Sequence, residues 1–181
     1  MNVICFGDSN TFGYDPRSYL GGRYDADSRW VDLFARKTGW EVRNNSMNGR
    51  EIPLRETFFS KSTDLLIIML GTNDLLKGNS VAEVTARMER FLTTLSIDRN
   101  KILLIAPPPM TFGEWVQEQP LIEASATLAE CYRTLSEKIG VRFADSGAWG
   151  IPMAFDGVHF TEDGYKVFAR ELYYYVNHIV H

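Results

Sequence analysis

The sequence has little cysteine and no long apolar run. Two cysteines among 181 residues do not indicate a disulfide framework, and we expect both to be buried apolar residues in a reducing, cytoplasmic protein. The longest apolar stretch, residues 65–70, is far shorter than the ~20 residues that span a bilayer. The N-terminal residues are typical of a first strand and not of a signal peptide. These absences argue against a disulfide-rich secreted domain and against a membrane protein.

The sequence also lacks a large excess of either positive or negative charge. The chain has 19 basic and 23 acidic residues, a net charge of −4, and no run of lysine or arginine that would form a basic patch. Nucleic acid is therefore not an expected partner. Histidine, cysteine, aspartate and glutamate do not group at metal-ligand spacing, so we expect neither a metal nor a cofactor. The length and a hydrophobic content of 45% are typical of one globular domain over residues 1–181.

Short apolar runs alternate with longer amphipathic segments along the whole chain. The amphipathic segments predict four main helices, which begin near Trp30, after an N-cap at Ser80, near Gln119 and at Thr161. Five strands alternating with helices predict an α/β protein, a three-layer α/β/α sandwich around a flavodoxin-like, five-stranded parallel sheet. The apolar runs that suit its buried parallel strands are residues 3–6, 42–44, 65–70, 102–106 and 141–144.

Four polar, glycine-containing turns follow predicted strands or precede the last helix. In open α/β sheets ligands bind at the carboxyl ends of the strands, so we expect these turns to meet at one edge. Together they offer a hydroxyl, an imidazole, a carboxylate and oxyanion donors, which are the groups of a hydrolytic site. The turns are Gly7–Gly13, Asn45–Arg50, Gly71–Asp74 and Asp156–Thr161.

The first of these turns contains a candidate nucleophile, Ser9. It lies where a strand passes into a helix, and the backbone N–H groups at such a helix start stabilise negative charge. A serine at this place can equally be a plain N-cap. A serine hydroxyl attacks only when a base removes its proton, so the interpretation depends on a nearby base.

One of the three histidines is a good candidate for that base. His178 and His181 lie at the end of the last predicted helix, where a protonated side chain complements the helix dipole. His159 instead precedes the helix start at Thr161, which disfavours the imidazolium and leaves a neutral ring that accepts a proton. Asp156 would orient His159, although an aspartate before glycine also forms turns by itself.

The four turns resemble the four conserved blocks of the SGNH hydrolase (GDSL esterase/lipase) superfamily, in the same order and over nearly the whole chain. Gly7-Asp8-Ser9-Asn10 is similar to the nucleophile block, with Asn10 where leucine often stands, and Gly71-Thr72-Asn73-Asp74 is similar to the asparagine block. Gly49 falls at the oxyanion glycine, and Asp156 and His159 match the closing block.

The resemblance implies a role for each matched residue. Ser9, Asp156 and His159 would form the catalytic triad. The backbone N–H groups of Ser9 and Gly49 and the amide of Asn73 would form the oxyanion hole, and Asn10 would contact the substrate. Asp8 and Asp74 are expected to anchor loops by hydrogen bonds. The chain order Ser…Asp…His and the absence of a G-x-S-x-G elbow separate this pattern from chymotrypsin, subtilisin and the α/β-hydrolases.

These features predict a serine hydrolase that cleaves small carboxylic esters through an acyl-enzyme. Short acyl or acetyl esters, including O-acetylated carbohydrate, are favoured as substrates. The alternatives are a lysophospholipase, a thioesterase, an acyltransferase or a catalytically inactive relative. A flavodoxin-like nucleotide- or phosphate-binding module is an alternative from another functional class. Against it, Asp8 would repel an anion, and no P-loop or G-x-G-x-x-G is present.

Two loops, around Asn10–Arg29 and Pro107–Gln119, are expected to decide specificity. The segment from Tyr14 to Arg29 is predicted to be a lid or a substrate rim. The proline-rich segment from Pro107, with Phe112 and Trp115, is predicted either to wall the substrate pocket or to form a contact in a homo-oligomer.

Overall fold

The computed structural model describes residues 1–18 and 20–180. Within these residues, five strands form one sheet in the order β2-β1-β3-β4-β5, and every neighbouring pair is parallel. This topology confirms the predicted flavodoxin-like fold, and the predicted strand ends agree with the observed ones to within two residues. The strands are β1 (Asn2–Gly7), β2 (Glu41–Ser46), β3 (Leu65–Met69), β4 (Ile102–Ala106) and β5 (Arg142–Asp145).

Helices cover both faces of this sheet, as the three-layer prediction requires. The four predicted helices are present, and two short helices follow β1 and β3 directly. Short 3₁₀ helices span Arg99–Lys101 and Ser146–Trp149. In the described part of the chain the α-helices are α1 (Ser9–Phe12), α2 (Trp30–Thr38), α3 (Thr72–Leu76), α4 (Val81–Thr94), α5 (Gln119–Ile139) and α6 (Glu162–Val180).

The strands alternate their side chains between two apolar cores, because successive residues of a strand point to opposite faces. Leu66 and Ile68 of β3 join the core under α4 and α5. Leu65 and Ile67 join the core under α2 and α6. Since β3 and β4 are buried along their whole length, they consist of continuous apolar runs without polar alternation.

Local sequence signals set the helix ends. Ser80 caps α4 in a capping box with Glu83, and Gly39 ends α2 in the left-handed conformation. The Thr161 Oγ accepts the Gly164 N–H at 3.0 Å where α6 begins. No helix of the described chain is both long and apolar enough to cross a membrane.

The strand order brings three of the four polar turns together. β1 lies between β2 and β3, so the order reverses beside β1, at the place where such folds bind ligands. Gly7, the last residue of β1, pairs with Ser46 on β2 and with Met69 on β3. The turns that follow these three strands therefore begin at one level of the same sheet edge.

Candidate active site

Ser9 is the first residue of α1 and is held by a tight strand-to-helix turn. The Asp8 side chain caps this helix and accepts the Asn10 N–H at 3.0 Å. Gly13 ends the helix with a φ of 92°, a left-handed conformation that favours glycine. The short helix thus holds Ser9 at the carboxyl edge of the sheet.

A continuous line of hydrogen bonds joins Ser9, His159 and Asp156. The Ser9 Oγ lies 3.0 Å from the His159 Nε2, and the His159 Nδ1 lies 2.6 Å from the Asp156 Oδ2. All three residues are buried. An ionised carboxylate only accepts hydrogen bonds, so the Nδ1 carries the proton and the Nε2 is free to accept one from the serine hydroxyl.

The second oxygen of Asp156 is also occupied, and this sets its charge state. Its Oδ1 accepts the N–H groups of Val158 at 2.8 Å and of His159 at 2.9 Å. Burial acts to raise the pKa of Asp156, but the hydrogen bonds from the His159 side chain and from these two N–H groups outweigh it. The pKa of Asp156 is therefore lowered, and the carboxylate is ionised at neutral pH.

The loop that carries His159, residues 156–161, is called the base loop and requires a glycine at position 157. The φ of Gly157 is +80°, and a Cβ at this position would lie 2.1 Å from the Thr111 carbonyl oxygen. The Thr111 N–H donates to the Gly157 carbonyl at 3.0 Å, and the Trp115 N–H donates to the Asp156 carbonyl at 3.1 Å. The proline-rich loop therefore packs directly on the backbone of the base loop.

The two remaining oxyanion candidates lie on neighbouring turns. Gly49 is exposed, with a φ of +70°, and no hydrogen bond within the described residues uses its N–H. The Asn73 Nδ2 donates to the Arg50 carbonyl at 3.1 Å and lies 3.5 Å from the Asp8 Oδ2. The structure thus brings Asn73 beside the segment that follows Gly49 and beside the residue that precedes Ser9.

Asp74 anchors the same segment, as predicted. Its Oδ2 accepts the Ile52 N–H at 3.1 Å, and its Oδ1 lies 3.2 Å from the Arg87 Nη1. Burial raises the pKa of Asp74, opposed by these two partners. The predicted anchoring role of Asp8 is confirmed by its cap of α1.

The buried carboxyl group of Asp8 lies between Asn10 and Asn73. Burial raises the pKa of Asp8 to about 6, opposed mainly by the Asn10 N–H and by the nearby His159. The sequence predicted its hydrogen bonds but neither this pKa nor the contact with Asn73. Both depend on how deeply the turn is covered by distant segments.

Two aromatic rings flank the His159 imidazole. The Tyr14 ring centroid lies 4.5 Å from that of His159, and the Trp115 ring meets the imidazole edge-on at 5.1 Å. These contacts place both predicted specificity loops at the site, and Trp115 remains about half exposed. A cavity of about 440 Å³ opens beside Asp156 and is lined by Pro16, Arg17, Ser18, Glu114, Trp115 and Phe155.

Asn10, for which the sequence predicts a substrate contact, is almost completely buried. Only 3% of the residue is exposed, and both polar atoms of its side chain bind the backbone on either side of His159. The amide oxygen and one of the two amide hydrogens are thus engaged inside the protein, and little of the residue is left to face the open cleft. The family resemblance marked this position, but a single sequence does not show which way its side chain points.

The remaining candidate groups lie elsewhere. His178 is exposed in the last turn of α6, as predicted, and His181 lies outside the described residues. Among the residues that the structure covers, no three His, Cys, Asp or Glu side chains are grouped so as to hold a metal ion.

This fold and this set of side chains define a class, the SGNH-type hydrolases with an α/β/α sandwich. The chain belongs to the GDSL-like lipase/acylhydrolase family, whose family model matches residues 5–167, and it is a carboxylic ester hydrolase. No curated protein sequence matches the chain significantly.

Two similar solved structures cover almost the full length of both chains. The aryl esterase of M. smegmatis is 25% identical, with a TM-score of 0.83, over 98% of this chain and 99% of that one. A carbohydrate acetylesterase family member from Sinorhizobium meliloti is 24% identical, with a TM-score of 0.82, over 99% of each chain. The second likeness supports the fold alone.

Proposed function

We propose that the protein hydrolyses short-chain carboxylic esters, with Ser9 as nucleophile, His159 as general base and Asp156 as the group that orients the imidazole. The observation that carries the proposal is the buried line of hydrogen bonds from the Ser9 Oγ through both imidazole nitrogens to the Asp156 carboxylate. A lone serine in a turn would have no such partner.

The reaction proceeds through two acyl transfers. The His159 Nε2 takes the hydroxyl proton while the Ser9 Oγ bonds to the ester carbonyl carbon. When the tetrahedral intermediate collapses, the bond to the alcohol oxygen breaks and the imidazolium gives its proton to that oxygen. Water then attacks the acyl-serine with His159 as base, and the carboxylic acid and the free serine are released.

The oxyanion formed in each step is held by the N–H groups of Ser9 and Gly49 and by the Asn73 amide. Support comes from the position of Ser9 at a helix start and from a Gly49 N–H that no described residue engages. Preorganised donors of this kind are each worth roughly 3–4 kcal/mol of transition-state stabilisation.

The walls of the cleft favour a small substrate. Tyr14 and Trp115 confine the space on either side of His159, and the adjoining cavity contains charged Arg17 and Glu114 beside its aromatic residues. Charged groups disfavour a long alkyl chain because burying them against it would strip their hydration. The similar M. smegmatis protein is named an aryl esterase, which agrees with cleavage of a carboxylic ester.

Turnover of p-nitrophenyl acetate, butyrate and octanoate tests this function. We expect kcat/KM to be highest for acetate, and Ser9→Ala and His159→Ala each to lower kcat by ~10⁴-fold or more, because the proton transfer is lost. The matched control is His178→Ala, which removes an exposed imidazole far from Ser9 and should leave kcat unchanged.

A fluorophosphonate probe gives an independent readout. It should label the wild-type protein once, at Ser9, and leave Ser9→Ala unlabelled. An inactive wild type, or a Ser9→Ala variant that keeps full turnover with all three esters, would show that the proposed function is wrong.

A further inference from the structure

Asn10 links the nucleophile turn to the base loop with its side chain. The Nδ2 donates to the Val158 carbonyl at 3.0 Å, and the Oδ1 accepts the Phe160 N–H at 3.0 Å. Val158 and Phe160 are the neighbours of His159 on either side. One planar amide therefore binds the backbone directly before and directly after His159.

The backbone of Asn10 is held in place by two hydrogen bonds. Its N–H donates to the Asp8 Oδ1 at 3.0 Å, and its carbonyl accepts the Trp30 Nε1–H at 2.9 Å. Trp30, the first residue of α2, is fully buried. Movement of the Asn10 backbone would therefore break its hydrogen bonds to both Asp8 and Trp30.

We propose that Asn10 is a positioning residue for His159, and this inference rests on the proposed role of His159 as the base. Ser9 and Asn10 are adjacent, so the amide couples the backbone that carries the nucleophile to the backbone that carries the base. Two hydrogen bonds from one planar group restrict both the distance and the tilt of the base loop. A displacement of about 1 Å between reacting groups can lower a rate by ~10²-fold.

The other contacts of the base loop do not replace this link. Asp156 binds the imidazole and two N–H groups, but it lies in the same loop as His159 and moves with it. The Tyr14 and Trp115 rings confine the imidazole by van der Waals contact. The Thr111 and Trp115 N–H groups bind the loop backbone, but from the proline-rich segment. Among these contacts, only the Asn10 side chain binds the backbone of the loop from the nucleophile turn.

The first test is Asn10→Leu, which keeps the branched shape and removes both hydrogen bonds. We expect kcat with p-nitrophenyl acetate to fall by ~30- to 100-fold and KM to stay within ~3-fold, because the base is misplaced while the substrate cleft is intact. Labelling of Ser9 by the fluorophosphonate should slow by a similar factor. Near-ultraviolet circular dichroism establishes that the variant is folded.

Asn10→Asp is a second, nearly isosteric variant. Its side chain can restore both hydrogen bonds of the amide at low pH. When protonated, the introduced carboxylic acid donates to the Val158 carbonyl and accepts the Phe160 N–H as the amide does. When ionised, it has no donor and faces a carbonyl oxygen. We expect kcat relative to the wild type at the same pH to be within ~3-fold at about pH 5.5 and ~10-fold or more lower at about pH 8.5.

The kcat of Asn10→Asp is compared with that of the wild type at each pH because other ionisable groups surround position 10. Asp8, Asp156 and His159 lie on the adjoining turns, and the Tyr14 and Tyr165 rings are packed beside them. The same groups are present in both proteins. The difference between the two pH profiles therefore reports the new carboxyl group.

Asn44→Asp is the matched control. The Asn44 Nδ2 donates to the Thr11 carbonyl at 2.9 Å, so this asparagine also holds α1, but from β2 and without touching the base loop. We expect its kcat and KM to stay within ~3-fold of the wild type at both pH values. An equal loss of kcat in this control would overturn the inference, since general loosening of α1 would then be sufficient.

The outcomes separate the inference from the function on which it rests. An active wild type that depends on His159, together with an Asn10→Leu variant of unchanged kcat, would refute the positioning role alone. A raised KM with unchanged kcat would also refute it and would return Asn10 to substrate binding. A wild type whose turnover does not depend on His159 would refute the proposed function itself.

Discussion

The two halves of the site are built in different ways. The proposed proton-transfer half comprises Asp156, His159 and Asn10, which are all buried and whose turns are joined by hydrogen bonds. The proposed oxyanion half comprises Gly49, which is exposed, and Asn73, which is half-buried. Groups that must already be aligned before substrate arrives are thus held by internal hydrogen bonds, while groups that must bind a new charge keep donors available.

Asn73 shows how such a donor is kept. Its amide nitrogen has two hydrogens, and one donates to the Arg50 carbonyl at 3.1 Å. The second faces the Asp8 Oδ2 at 3.5 Å, which is long for a hydrogen bond. An oxyanion can therefore compete for this hydrogen, whereas the closely bound His159 and Asp156 have no such freedom.

The largest effect is expected from breaking the proton-transfer half with Asp156→Asn. The N–H groups of Val158 and His159 hold the Oδ1 site, so the new amide oxygen takes that place and its NH₂ faces the His159 Nδ1. The imidazole must then carry its proton on Nε2 and cannot accept one from Ser9. We expect kcat to fall by ~10⁴-fold with little change in KM, measured by p-nitrophenyl acetate turnover.

Asp145→Asn is the control for this change. Asp145 also binds a backbone N–H, that of Gly147 at 2.9 Å, but it does not face an imidazole. Its kcat should remain within a few-fold of the wild type. A loss of less than about 10-fold in Asp156→Asn would contradict the tautomer argument.

A smaller effect is expected in the oxyanion half from Asn73→Ala. Removal of one side-chain donor should lower kcat by ~10²- to 10³-fold and leave KM nearly unchanged, because the donor acts mainly in the transition state. Asn79→Ala is the control, since the Asn79 Nδ2 donates to the Asp74 carbonyl just beyond the same helix α3. A higher KM at unchanged kcat would instead assign Asn73 to ground-state binding.

The smallest effect concerns Asp8, which touches both halves. Its pKa is raised by burial from 3.8 to about 6, so the folded state binds this proton more tightly than the unfolded state does. Stability is therefore lost as the pH rises through this range. At about 1.4 kcal/mol per pKa unit, the full cost above about pH 6 is on the order of 3 kcal/mol.

Asp8→Asn should remove this cost while its Oδ1 still caps α1. We expect its free energy of unfolding, relative to the wild type, to increase by up to about 3 kcal/mol between about pH 4 and pH 8, measured by urea denaturation. Asp25→Asn, which removes an exposed carboxylate, is the matched control. Parallel profiles for wild type and Asp8→Asn would contradict the raised pKa.

Much of the fold follows from local patterns, and these were predictable. The buried runs of β3 and β4 are apolar throughout, and the helix ends at Gly39 and Ser80 are marked by capping residues. Ser9, Asp156 and His159 were also predicted, because their residue types stand in turns that the strand order brings to one edge. The structure places His159 within hydrogen-bond distance of both Ser9 and Asp156.

Other parts of the site were not predictable from one sequence. The hydrogen bonds of the Asn10 side chain to the base loop were not predicted, since their partners lie 148 and 150 positions away in the sequence. Tyr14 was predicted only as part of a rim, but it packs on the imidazole. The role of Gly49 remains a prediction, supported by its exposed and unengaged N–H.

The five strands, their parallel α/β arrangement and the turns that hold the reactive groups can be predicted from the amino-acid sequence. Burial periodicity, capping residues and glycine turns act over a few neighbouring residues, so a single sequence contains these signals. The pKa of Asp8, the aromatic rings beside His159 and the direction of the Asn10 amide are set by tertiary contacts. These depend on desolvation and on contacts between distant loops, which exist only once the sheet has brought its carboxyl ends together.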